Sequence, residues 1–136
     1  PLNVIETMDK ILSYSDADSV EHSGDWLRPE NVPENDWSRS VASMAHLNHA
    51  SAIVVFARDS DAVTAVSCRR VDIPIVAVCD NELIANQLCL LRGVKSVYTP
   101  DLFALRDLRS IANICEIKSG KVVIVDGDNV SLRDLD

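Results

Sequence analysis

Glycine is scarce in this chain. Only Gly24, Gly93, Gly120 and Gly127 are present, and they are scattered. A phosphate-binding P-loop and a dinucleotide fingerprint both need clustered glycines, so that backbone can approach phosphate closely. Neither motif is present. Aromatic residues make up 4%, so the core has to be built from Val, Ile, Leu and Ala. The four cysteines, Cys68, Cys79, Cys89 and Cys115, match no zinc or redox spacing. Each sits in an apolar segment, and the expectation is small buried hydrophobes in a reducing compartment. Positive charge is also short. Thirteen Lys and Arg face 21 Asp and Glu, a net charge of −8. That field repels a phosphate backbone and an anionic membrane surface, which argues against nucleic acid and membrane partners. No apolar run reaches the length of a membrane span, and the start does not resemble a signal peptide. A cytoplasmic location is the resulting expectation.

What is present is a chain of 136 residues, long enough to bury a core. Val4, Ile5, Met8, Ile11 and Leu12 fall on one face of a predicted helix over Leu2–Tyr14, and Pro1 suits its first turn. Ser15–Pro33 is polar, contains Pro29 and Pro33, and reads as a long loop. Such a loop is unusual inside a compact domain, so the first helix is expected to belong to a different structural unit. A helix capped by Asn35 or Asp36 then runs to about His49, with Trp37, Val41, Met44 and Ala45 as its apolar stripe.

From there apolar runs alternate with helical patterns. Ala52–Phe56, Pro74–Val78, Val94–Tyr98 and Lys121–Val125 read as strands. Helices are expected over Asp61–Arg70, then after an Asp80 cap with Leu83, Ile84, Leu88 and Leu91 inward and a stop at Gly93. A last helix opens at Pro100 and Asp101, with Leu102, Leu105, Leu108, Ile111 and Cys115 at helical spacing. Strands that are apolar throughout need cover on both faces. The expected fold is a three-layer α/β/α sandwich with a mostly parallel sheet of four or five strands. The tail after Gly127 is a candidate short edge strand.

Ligands of open parallel sheets bind at the carboxyl ends of the strands. Here those ends are Ala57–Asp61, Cys79–Asn81, Thr99–Asp101 and Asp126–Asp128, most of them carrying Asp. Asp is also the ordinary cap of a helix that follows a strand, and capping is the favoured account of Asp80 and Asp101. A phosphate-accepting receiver domain would need a Lys after the last strand, whereas Lys121 precedes it. Asp126 and Asp128 after a buried strand resemble a haloacid-dehalogenase nucleophile motif. Only eight residues follow Asp128, too few for the rest of that machinery, and an Asp-Gly turn before an edge strand is preferred. His46 and His49 share a predicted helix face but lack a third ligand at suitable spacing. Arg69 and Arg70, with Arg58, form the one notable basic group, by default solvating a helix end. No catalytic, cofactor-binding or metal residue is assigned.

The order of segments resembles the C-terminal domain of pyruvate kinase. The run Ala52–Phe56 with its helix, then Arg70-Val71-Asp72-Ile73-Pro74-Ile75, keeps the family's Arg-Pro-x-x-Pro-Ile spacing without the first Pro. Gln87-Leu88 and Arg92-Gly93-Val94 follow as in the family, and Lys118–Val125 matches its last long strand. Pro1, Val4, Thr7, Met8 and Ile11 resemble the last helix of that enzyme's barrel. The resemblance divides the chain into a barrel-derived helix (1–14), a linker loop (15–33) and the α/β domain (34–136). It implies a regulatory and oligomerisation domain of an enzyme that transfers phosphoryl from phosphoenolpyruvate to ADP in glycolysis. Magnesium and potassium would serve the full-length enzyme, the partner would be the catalytic barrel of the same parent chain, and the assembly a homotetramer. A barrel of that kind needs about 250 residues, so its chemistry is not in this chain. The alternative is a stand-alone α/β module that binds a small ligand without catalysis.

In many members of that family the loop after the first strand cradles an effector phosphate with a Thr/Ser-x-Ser-Gly-x-Thr/Ser pattern. The matching positions here are Ala57, Arg58, Asp59, Ser60, Asp61 and Ala62, and the family's second effector loop reads Asp126, Gly127 and Asp128. The effector-pocket candidates are therefore Arg58, Asp59, Ser60, Asp61, Asp126, Gly127 and Asp128. A helix N-terminus favours an anion by about 0.3–1 kcal/mol. One like charge at about 4 Å opposes it by about 1 kcal/mol in water and about 4 at an effective dielectric of 20. The expectation is that no sugar phosphate binds in the family's usual way.

Overall fold

A computed structural model describes residues 1–21, 37–102 and 108–135. The chain divides into two units, 1–35 and 36–136.

In the first unit, helix α1 spans Leu2–Glu21. It runs well past Tyr14, where the apolar pattern stops. Residues 15–21 contain neither Pro nor Gly, so nothing breaks the helix, although Ala17 and Val20 alone make no apolar stripe to mark it. The rest of the expected loop, 22–33, lies outside the described residues. The apolar side chains of α1 from Leu2 to Leu12 are exposed.

The second unit contains α2 (Trp37–Leu47), β1 (Ala52–Ala57), α3 (Asp61–Ser67), β2 (Ile75–Cys79) and α4 (Glu82–Leu88). It continues with β3 (Val94–Tyr98), α5 (Leu108–Cys115), β4 (Lys121–Asp126) and β5 (Asn129–Asp134). The sheet order is β3-β2-β1-β4-β5. The first four strands are parallel, and β5 pairs antiparallel with β4. The expected edge strand is thus real. Gly127, at φ 58, and Asp128 form the two-residue link, with Gly at the first central position as a II′-type turn requires.

Strand alternation builds two cores. Ile53, Val55, Ile75, Ala77, Val123 and Val125 pack with Val41, Ala45, Val63, Val66 and Leu88 from α2, α3 and α4. On the other face Val54, Val76, Val78 and Val122 pack with Ile111 of α5. Both faces of β1 are consequently buried, as an all-apolar central strand demands.

Helix ends depart from expectation. α2 stops at Leu47 and His49 takes a left-handed φ of 52; α3 stops at Ser67 and Arg70 takes φ 50. These non-glycine stops carry no glycine signal. The cap of α4 is Asn81, whose side chain accepts from the amides of Leu83 and Ile84 at 2.9 and 3.4 Å; Asp80 is not the cap. Ala85 takes the buried position expected of Leu83, which is 72% exposed. Likewise Trp37 is exposed, and Ser38 is buried instead. The last helix is expected to open at Pro100 and Asp101, but residues 100–102 are not helical; 103–107, with the expected Leu105, lie outside the described residues, and α5 is described from Leu108.

Candidate functional site

The strand order reverses direction between β1 and β4, which is where an open parallel sheet leaves a crevice at its carboxyl ends. A cleft of about 830 Å³ lies there. Pairing of Phe56 with Asp126 sets the two loops side by side. Arg58 and Asp59 follow β1, and Gly127 and Asp128 follow β4. Apolar side chains in the lining are Val55, Phe56, Ala62, Pro100, Leu102 and Val125.

Of the seven candidate residues, Arg58, Asp59, Asp126, Gly127 and Asp128 line the cleft. Ser60 and Asp61 do not. Ser60 already has helical backbone (φ −81, ψ −15), and its carbonyl accepts from the Thr64 amide at 2.9 Å and the Thr64 hydroxyl at 2.7 Å. The Asp61 amide donates to Oδ1 of Asp59 at 3.1 Å. The carboxylate of Asp59 thus sits on the amide that opens α3.

Asp80 and Asp101 also line the cleft. Capping by Asn81 removes the expected account of Asp80. The tandem of two cap-capable residues, Asp80-Asn81, was the available signal, because one helix needs only one of them. Among the described residues the cleft therefore has five carboxylates, Asp59, Asp80, Asp101, Asp126 and Asp128, against the guanidinium of Arg58. Asp101 and Asp126 have interactions of their own within the protein. Beneath the rim, Cys79 ends β2 and is buried. Burial first, and then the charges of Asp80 and Cys89, push its thiol up to about 11, so it stays protonated at neutral pH.

Other sequence candidates fall elsewhere. His49 lies beyond α2, so His46 and His49 do not share a helix face. Among the described residues no group of three or more His, Cys, Asp or Glu could hold a metal ion. Arg69 is at the far end of α3 from Arg58, and its Nε donates to Oγ of Ser38 at 3.0 Å. The three arginines are therefore not one basic group. Cys68 and Cys89 are exposed, contrary to the expected burial, and Sγ of Cys89 is 2.9 Å from Oγ of Ser96. The side chain of Cys115 lies outside the described residues. Asp126 ends β4 and Asp128 lies in the hairpin turn into β5. No helix among the described residues is long and apolar enough to cross a membrane.

Comparison with known proteins gives one family match: the model of the pyruvate kinase alpha/beta domain matches residues 35–132. Among solved structures, a pyruvate kinase from Cryptosporidium parvum superposes with a TM-score of 0.69 at 20% identity, covering 79% of this chain and 24% of the other. A second structure of pyruvate kinase from that organism gives 0.67 and 18%, with the same coverage. Pyruvate kinase from Pyrobaculum aerophilum gives 0.59 and 13%, covering 76% and 23%. The chain thus spans about a quarter of the length of these relatives. Curated protein sequences give no match.

Proposed function

This chain belongs to the pyruvate kinase alpha/beta domain family, and from that premise we propose that it serves as the regulatory and subunit-assembly domain of a pyruvate kinase. The observation that carries the reading is the cleft: it lies at the switch point between β1 and β4, where this class of sheet binds ligands. In this reading the parent protein transfers phosphoryl from phosphoenolpyruvate to ADP in the cytoplasm, as a step of glycolysis. Magnesium and potassium would act in its barrel, since the described residues here offer no fitting ligand group. The exposed apolar side chains of α1 are consistent with a helix that belongs to that barrel. The assembly would be a homotetramer, with effector and barrel coupled through packed domains that have two arrangements.

The effector would not be a sugar phosphate. Five carboxylates on the cleft oppose a dianion, and the α3 amide of Asp61 is already engaged by Asp59. Calorimetry with fructose 1,6-bisphosphate or glucose 6-phosphate should give no heat of binding. Tight binding abolished by Ser60→Glu would overturn this part of the reading.

The acidic lining also favours a second reading, a stand-alone α/β module that binds a small ligand without catalysis. An immunoblot of the native polypeptide in its source cells separates the two. A band longer by at least the roughly 250 residues of a barrel supports the kinase reading. A band at the size of this chain removes the catalytic partner and leaves the module.

A further inference from the structure

We draw no further inference here: the strongest candidate, the exposed apolar side chains of Leu83 on α4, Leu90 just beyond it and Tyr98 on the edge strand β3, carries nothing because no feature of the structure shows what covers them.

Discussion

The two ends of the sheet are built differently. At the amino ends of the strands, polar groups are tied to one another across elements. Arg69 Nε donates to Ser38 Oγ, Ser67 Oγ donates to the Arg92 carbonyl at 2.8 Å, and the Ser51 amide donates to the Lys121 carbonyl at 2.7 Å. Ser38 and Ser67 are buried, and both are satisfied. At the carboxyl ends, the loops instead surround an open cleft with mostly one sign of charge. Like charges around a cleft do not stabilise a fold, whereas satisfied buried hydroxyls do. One end of the domain is therefore tied together by satisfied polar groups, and the other is left open around a cleft with an excess of carboxylates among its described lining.

The contrast is tested most strongly at the stable end. Ile53 is fully buried on the central strand, opposite Ile75 and Val123. Ile53→Ala should cost about 2–5 kcal/mol in chemical denaturation, through lost burial and the cavity left behind. A cost below about 1 kcal/mol would mean that this end of the sheet is loosely packed. Gly120 comes next. Its φ of 108 disfavours any L side chain, and an added Cβ would collide with Oγ of Ser51. Gly120→Ala should cost about 2 kcal/mol from backbone strain and steric conflict together. Gly127 in the hairpin turn at the cleft is also left-handed, but open space surrounds the position of its Cβ. Gly127→Asn should therefore be tolerated better, because Asn adopts this backbone region more readily than other residues.

A smaller difference concerns the thiols. Cys79 stands where core meets cleft, and its raised folded pKa makes protonated thiol part of the native state. Its contribution to stability is complete below the ordinary thiol value of about 9 and is lost as pH rises from there through about 11. Alkylation at neutral pH followed by peptide mapping should label Cys68 and Cys89, which are exposed, and spare Cys79. Equal labelling of Cys79 in the folded protein would show that the cleft opens into the core.

Much of this division was legible in the residues. Apolar runs such as Ile53–Phe56 have no other physical solution than a strand covered on both faces, and the alternation with helices made the sheet parallel. The asymmetry of the strand ends was also visible, because Asp recurs at the carboxyl ends of β1, β2 and β4 and just after β3. Helix limits were less legible. His49 and Arg70 terminate their turns with left-handed backbone that an ordinary side chain rarely adopts and that no sequence pattern announces. α1 continues through the mostly polar stretch 15–21, where no Pro or Gly stops it, and periodicity is blind to such a continuation. Within the cleft, the error over Asp80 came from two adjacent residues competing for one capping role. Phe56 and Leu102 were unreadable as lining, since a pocket wall made of core residues looks like core.

The finest test of the comparison changes charge at the cleft while leaving stability alone. Asp80 and Asp128 are exposed, and the helix beside Asp80 is capped by Asn81. Replacing both, Asp80→Asn with Asp128→Asn, should move stability by no more than about 0.5 kcal/mol, as for surface sites that hold nothing together. Anion affinity should respond. Each carboxylate removed relieves a repulsion of about 1 kcal/mol in water at about 4 Å, and more where the cleft excludes solvent. Two removals should therefore strengthen phosphate binding by tenfold or more, an effect that shrinks as salt is added. Adding Arg58→Ala should reverse the gain, because Arg58 is the one guanidinium among the described residues that line the cleft. If the double variant binds phosphate no better at any salt concentration, charge is not what excludes the anion. The carboxylate of Asp59 on the Asp61 amide would then be the cause, since it occupies the place at the start of α3 that a phosphate would need.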